Sequence, residues 1–115
     1  MSVERKWAFR IAHILEAIAK IQRYTQGMTE ESFAADERTV DAVIRNFQVI
    51  GEAARHVPRD MQTRYQEIPW SLMQGMRHVL VHGYDMVKLE VVWRTMQEEL
   101  PPLIEPLRNV LKENP

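Results

Sequence analysis

Residues 36–58 read DERTVDAVIRNFQVIGEAARHVP and decide the fold class. Apolar side chains recur in this stretch at intervals of three and four residues, namely Val40, Val43, Ile44, Phe47, Ile50, Ala54 and Val57. This spacing is typical of the buried face of an amphipathic helix. Asp36 is a candidate N-cap, and Pro58 forbids continuation because proline lacks a backbone N–H and clashes with the preceding turn. The sequence therefore predicts a long helix between them.

The flanking sequence has the same periodicity. It predicts further helices between Ser2 and Gly27, from Pro69 to near Gly83, from about Lys88 to Leu100, and from Leu103 to Leu111. Pro101-Pro102 is expected to break the chain between the last two, and Pro106 fits the terminal helix only within its first turn.

Two segments between the predicted helices lack this periodicity. Residues 29–32 form a polar stretch. The segment between Pro58 and Pro69 has no sustained period and is interpreted as a connection that can carry a turn of helix. No segment shows the sustained alternation that is typical of strands. We therefore expect an all-α fold: an antiparallel up-and-down four-helix bundle with a short extra C-terminal helix.

Length and composition limit the classes of protein. The chain has 115 residues, and we expect residues 1–115 to form a single domain. Its 15 Lys+Arg and 16 Asp+Glu give a net charge of -1, so nucleic-acid contact would need a local basic patch. The absence of cysteine excludes disulfides and cysteine-ligated metals. Since no apolar run is long enough to span a membrane and no secretion signal is apparent, we predict a cytoplasmic protein without membrane contact.

The third predicted helix carries the side chains that are best suited to catalysis or ligand binding. On a helical wheel its core face is centred near Leu72, and Arg77, His78, Val81 and His82 share the opposite arc. An apolar Val81 among cationic and titratable groups is typical of a groove covered by another surface. We therefore expect self-association into a homodimer or a higher homo-oligomer.

The run Arg77-His78-Val79-Leu80-Val81-His82-Gly83-Tyr84 resembles a known signature. It is similar to the Arg-x-x-x-x-His-x-Tyr motif of the HEPN superfamily, specifically of its HepT-like ribonuclease toxin branch. The resemblance extends to Ile50-Gly51-Glu52-Ala53-Ala54, Ile68-Pro69-Trp70, Gly75-Met76-Arg77, and Trp93 through Leu100-Pro101. His78 stands where the family usually has asparagine.

The resemblance implies an endoribonuclease toxin with RNA as substrate and a nucleotidyltransferase antitoxin as partner. In such pairs the antitoxin silences the toxin by adenylylating the signature tyrosine, here Tyr84. Bulky phosphates attached there would block a phosphate-binding groove and compete for Arg77.

The chemistry of the signature residues fits this expectation. RNA is cleaved without a metal when the ribose 2′-hydroxyl attacks its own phosphodiester. An imidazole with a pKa near ~6.5 transfers protons at neutral pH, and a guanidinium fork binds phosphate oxygens as charge develops. We predict Arg77 and His82 as catalytic residues, His78 as auxiliary and Tyr84 as the modification site, with no cofactor. His78 and His82 lack an apparent third ligand, so no metal is expected.

The same residues have simpler interpretations. Arg77 is then a surface arginine paired with a carboxylate, His82 a helix-terminal histidine near the negative end of the dipole, and Tyr84 a structural phenol. Glu52 either pairs with a site arginine or merely sits on its helix. The alternative function is a non-catalytic nucleotide-binding or scaffolding partner subunit of a minimal nucleotidyltransferase.

Basic side chains are concentrated in the second helix and the connection after it, namely Arg45, Arg55, His56, Arg59 and Arg64. They form either an RNA-facing patch or, because Glu52, Asp60 and Glu67 lie among them, a solvated surface of mixed charge.

Overall fold

A computed structural model describes residues 6–78 and 88–115. The described residues form seven α-helices and one π-helical turn, and none of them belongs to a strand, which confirms an all-helical fold for this part of the chain. The helices are α1 (Lys6–Tyr24), α2 (Glu30–Ala35), α3 (Glu37–Arg55), α4 (Arg59–Arg64), α5 (Trp70–Gly75), α6 (Leu89–Arg94) and α7 (Pro101–Glu113), and the π-helical turn is Thr95–Glu99.

The two longest helices, α1 and α3, pack against each other at the centre of the fold. Their apolar stripes are buried as predicted, with Ile11 and Ile14 facing Val43 and Ile50 in one core. Asp36 is the N-cap of α3, since its side chain accepts a hydrogen bond of 3.1 Å from the backbone N–H of Thr39. The predicted cap is therefore confirmed, whereas the candidate cap Ser2 lies outside the described residues.

The polar stretch after α1 is not a loop but the start of α2. Thr29 Oγ1 accepts a 3.1 Å hydrogen bond from the Ser32 N–H, and Ser32 Oγ accepts a 2.9 Å bond from the Thr29 N–H, forming a capping box. Phe33 is completely buried and its ring centroid lies 5.5 Å from that of Trp93. A six-residue helix held by a cap and one aromatic anchor is too short to show a periodicity.

The prediction for the third helix is wrong in the length of the helix and in the face that packs into the core. The connection after Pro58 contains α4, and α5 ends already at Gly75, a residue that loses more backbone entropy in a helix than any other. Met73 is fully buried but Leu72 is 39% exposed, so the core face is centred on Met73. The wheel placed Leu72 inward because it assumed one continuous helix to Gly83.

The predicted helix from Lys88 ends just before Pro101-Pro102 as expected, since the π-helical turn ends at Glu99. The terminal helix, however, begins at Pro101 rather than Leu103, because these prolines occupy the first positions of α7. The Leu100 N–H donates to the Thr95 carbonyl over 3.1 Å, which closes the π-helical turn just before Pro101. Pro106 lies inside α7 rather than in its first turn. It removes the hydrogen bond to the Pro102 carbonyl, and water can satisfy that carbonyl because Pro102 is exposed.

The buried side chains form one cluster, and this cluster fixes the relation of α3 to α5. α1 also packs against α7, whose end is held by a 2.8 Å hydrogen bond from Tyr65 Oη to Glu113 Oε1. Among the helices that the structure describes, none is both long and apolar enough to cross a membrane. Because α3 packs against α5, the end of α3 lies beside the residues that follow α5, among them Arg77.

Candidate functional site

Gly51 of α3 lies directly against the backbone of Arg77. A Cβ atom at Gly51 would lie 2.8 Å from both the Cβ and the backbone nitrogen of Arg77, and 3.2 Å from the carbonyl oxygen of Gln74. Real Cβ atoms do not approach backbone atoms this closely, so a residue without a side chain is required here. Gly51 therefore fixes the position of Arg77 relative to α3.

Glu52, the next residue, binds the groups around it. Arg55 Nη2 donates to Glu52 Oε2 over 2.7 Å, and His56 Nε2 lies 3.0 Å from the same oxygen. Arg77 Nη1 lies 3.5 Å from the other carboxylate oxygen, Oε1. The hydrogen bonds from Arg55 and then His56 lower the pKa of Glu52 from 4.5 to about 2, and Glu52 in turn raises the pKa of Arg55.

The Arg77 guanidinium is only partly used by these contacts. Its side chain is 35% exposed, and the ion pair with Glu52 is long. Its Nε atom is buried and has no hydrogen-bond partner among the described residues. Because a guanidinium offers five N–H donors, this arginine retains donors for an acceptor such as a phosphate oxygen.

The other predicted site residues are placed as follows. His78 is exposed and makes no hydrogen bond or ion pair with any residue within 6–78 or 88–115. Val81, His82 and Tyr84 lie outside the described residues. The structure thus brings Arg77 together with Glu52, Arg55 and His56. Within the described ranges, no group of three or more potential ligands is arranged to hold a metal ion.

The predicted basic patch is divided between three surroundings. Arg55 and His56 both contact Glu52, and Arg55 also lines, together with Arg59, a groove of about 750 Å³ beside α4 and α5. Arg45 lines a separate pocket of about 270 Å³ between α1 and α3. These cations therefore do not form one continuous surface, and an RNA-facing role stays a prediction.

The sequence analysis missed the role of Gly51 and left that of Glu52 open. Glycine inside a strongly periodic helix costs about 1 kcal/mol relative to alanine, and this cost is the signal for a close packing contact. For Glu52, no signal in the sequence distinguishes a pairing partner of Arg77 from a surface carboxylate, because Arg77 lies 25 residues away in the segment after α5. The structure shows the pairing.

The comparison with known proteins identifies the class. The profile of the family described as "Ribonuclease HepT-like" matches residues 14–110. The chain belongs to this HEPN-type family, which confirms the resemblance seen in the Arg77 to Tyr84 signature.

Individual relatives agree with this assignment. The chain is 41% identical over 90 residues to "Probable ribonuclease HepT" of Thermococcus cleftensis, covering 78% of this chain and 82% of the relative. It is 36% identical over 101 residues to a Methanocaldococcus jannaschii protein named "Gamma-glutamylcyclotransferase and putative RNase", covering 88% of this chain. The match spans about half of that relative, 46% of its length. No solved structure matches the chain significantly.

Proposed function

We propose that this protein is a metal-independent endoribonuclease that acts as the toxin of a toxin-antitoxin pair in the cytoplasm. The observation that carries the proposal is the Arg77 guanidinium, which Gly51 and Glu52 hold at the surface with donors to spare. Membership of the HepT-like ribonuclease family supports RNA as the substrate. The printed names of the relatives, "Probable ribonuclease HepT" and "putative RNase", support it as well.

In the proposed reaction, His82 and Arg77 act on one phosphodiester. A base takes the proton of the ribose 2′-hydroxyl, O2′ bonds to phosphorus, the bond from phosphorus to O5′ breaks, and O5′ receives a proton. The products are a 2′,3′-cyclic phosphate and a 5′-hydroxyl. His82 is the proton-transfer group, and Arg77 stabilises the charge that develops on the phosphate oxygens.

The activity test is RNA cleavage in EDTA by wild type, Arg77→Ala and His82→Ala. We expect cleavage by wild type and a loss of roughly 10²- to 10³-fold in each variant, the effect of removing one group that stabilises the transition state. Arg64→Ala is the matched control, because Arg64 is exposed and lines neither the groove nor the pocket beside Glu52. Tight nucleotide binding without cleavage would instead support the scaffolding alternative.

We further propose that residues 1–115 form a single domain, an antiparallel up-and-down four-helix bundle with a short extra C-terminal helix, which assembles as a homodimer or a higher homo-oligomer. Phe9 is 52% exposed and precedes Arg10, which lines the pocket that Glu52 also lines. We propose that this ring contributes to the contact with a second subunit. Sedimentation of wild type and Phe9→Ser tests this, and a fully active monomer would contradict the proposal.

Regulation is proposed to act at Tyr84, which a nucleotidyltransferase antitoxin would adenylylate, and His78 is proposed as an auxiliary contact. Mass spectrometry after co-expression with such an enzyme should show AMP on wild type and none on Tyr84→Phe. Unmodified wild type would discard this part of the proposal and leave the nuclease intact. His78→Asn, which introduces the residue usual in the family, is expected to retain cleavage.

A further inference from the structure

A groove begins beside the candidate site. Its volume is about 750 Å³, and its walls are the end of α3, α4, the connection after it, and α5. This volume lies within the range of about 300–1,000 Å³ that is usual for ligand sites. The groove is not enclosed, so a ligand can enter it from solvent without a change in the fold.

The groove is connected to Arg77 through two of its lining residues. Arg55 lines the groove and shares the Glu52 carboxylate with Arg77, at 2.7 Å and 3.5 Å respectively. Gln74 also lines the groove and belongs to the same close contact with Gly51 as Arg77. A polymer with one phosphate on Arg77 would therefore extend its neighbouring units into this groove.

The side chains that line the groove favour a polyanionic ligand that also offers hydrogen-bonding groups. None of the described residues that line the groove is acidic, and Arg59 makes no ion pair with any of them or with the rest of the described chain. The polar side chains of Thr63, Gln66 and Ser71 form no hydrogen bond within the described ranges. These groups are available to a ligand, and no fixed negative charge in the lining opposes a phosphate.

We infer that this groove, which we call the flanking-strand groove, binds the single-stranded RNA next to the cleaved phosphodiester. The inference rests on the proposed function. Arg59 binds a backbone phosphate, and Gln66, Thr63 and Ser71 bond to base edges, which are accessible in a single strand but paired in a duplex. Leu72, 39% exposed in the groove wall, offers an apolar surface to a base. Trp70 takes no part, because it is buried and its Nε1 donates to the Tyr65 carbonyl over 3.0 Å.

The test is fluorescence anisotropy with a labelled single-stranded RNA whose 2′-hydroxyls are all methylated, so that it binds but cannot be cleaved. Arg59→Glu is expected to weaken binding about tenfold, and Arg59→Ala to reduce the slope of log K against log salt by about 0.7. Arg64→Glu is the matched control: the same charge change on the same helix, at an exposed residue outside the groove. We expect it to change binding less than about twofold at physiological salt, where charges beyond about 8 Å are screened.

A second variant tests the groove at a lining residue other than Arg59. Gln66→Glu places a carboxylate in the groove and should weaken single-strand binding, whereas a duplex of the same length should bind poorly to all forms. Equal effects of Arg59→Glu and Arg64→Glu, unchanged binding of Gln66→Glu, or equally tight duplex binding would each overturn the inference. Circular dichroism of each variant verifies the fold.

Cleavage assays on unmethylated RNA separate this inference from the proposed function. Arg59→Glu should lower kcat/KM about tenfold and leave kcat unchanged, because a flanking contact binds substrate and transition state alike. If Arg59→Glu weakened RNA binding but the wild-type protein did not cleave RNA, the proposed nuclease activity would be refuted and the RNA-binding role of the groove would be supported. If Arg59→Glu had a normal kcat/KM while Arg77→Ala lost cleavage, the RNA-binding role of the groove would be refuted and the proposed nuclease activity would be supported.

Discussion

The two ends of α3 use polar side chains in different ways. At its start, Asp36 caps the helix, and the Thr29–Ser32 pair caps α2 just before it, so each side chain is satisfied by backbone within three residues. At its end, Glu52 contacts Arg77, a residue distant in sequence, and Arg77 Nε has no partner among the described residues. A polar side chain whose hydrogen bonds are made by nearby backbone indicates a structural role. A charged side chain that tertiary packing brings into place, and that keeps unused hydrogen-bond donors, indicates a ligand site.

The largest effect on stability is expected at the structural end. Phe33→Ala removes a fully buried ring from its contact with Trp93 and should lower the free energy of unfolding by about 3–5 kcal/mol. Urea denaturation measures the loss, and Phe33→Leu is the control with a smaller change in volume. The cleavage rate per folded molecule should stay the same. If fully folded Phe33→Ala cleaved RNA more slowly than wild type, the structural end of α3 could not be separated from the site end in function.

The next largest effect is expected at the site end, where Gly51→Ala brings a Cβ to 2.8 Å from the Arg77 backbone. The backbones must separate, so we expect a loss of about 1–3 kcal/mol in stability. Cleavage should fall up to about 100-fold in the folded protein, because a displacement of about 1 Å in a catalytic group is enough for this.

Gly75→Ala is the matched control for Gly51→Ala. It adds the same methyl group in α5, two residues before Arg77, where a Cβ would meet no atom within 4 Å. We expect a gain of about 0.4–1 kcal/mol from the lower entropy of the unfolded chain, with cleavage unchanged. Equal cleavage by both alanine variants would show that the close approach at Gly51 does not position Arg77.

The sequence predicts the start of α3 better than its end for a physical reason. A cap such as Asp36 acts on backbone three residues away, and the stripe from Val40 to Ala54 is a property of one helix, so both can be predicted from neighbouring residues in the sequence. The pairing of Glu52 with Arg77 depends on how α3 packs against α5, and no local pattern encodes that geometry.

The errors in the sequence analysis have the same cause. Leu72 was placed inward by extending one period across Gly75, but α5 ends there and tertiary packing selects Met73 for the core. For Arg77, the sequence predicts the type of chemistry from the signature. The contact with Gly51 that positions it is visible only in three dimensions. His82 and Tyr84 stay predictions, since they lie outside the described residues.

A smaller effect is expected from removing the cap of α3. Asp36→Ala leaves the Thr39 N–H without its 3.1 Å acceptor and should lower stability by about 1 kcal/mol. The control is Asp41→Ala, an equal charge change at an exposed residue inside α3, which should stay within about 0.5 kcal/mol of wild type. Thermal unfolding of both measures the difference. Cleavage by both variants should equal that of wild type if the start of α3 is purely structural.

The smallest effect, and the sharpest test of the site end, concerns Glu52 and pH. Since folding lowers the pKa of Glu52 from 4.5 to about 2, its carboxylate stabilises the folded state above pH 4.5, and this contribution is lost as the pH falls toward about 2. Glu52→Gln lacks the contribution at every pH. The stability difference between wild type and Glu52→Gln should therefore be largest above pH 4.5 and shrink as the pH falls toward 2.

Denaturation series at several pH values measure this difference, and Glu16→Gln is the control because Glu16 forms an exposed pair of 3.5 Å with Lys20 on α1. Equal pH dependence in the two variants would attribute the effect to net charge rather than to the contacts with Arg55, His56 and Arg77. Cleavage by Glu52→Gln should fall less than in Gly51→Ala, because an exposed ion pair of 3.5 Å orients Arg77 more weakly than direct backbone contact does. The reverse order would mean that the carboxylate, and not the glycine, holds the guanidinium in place.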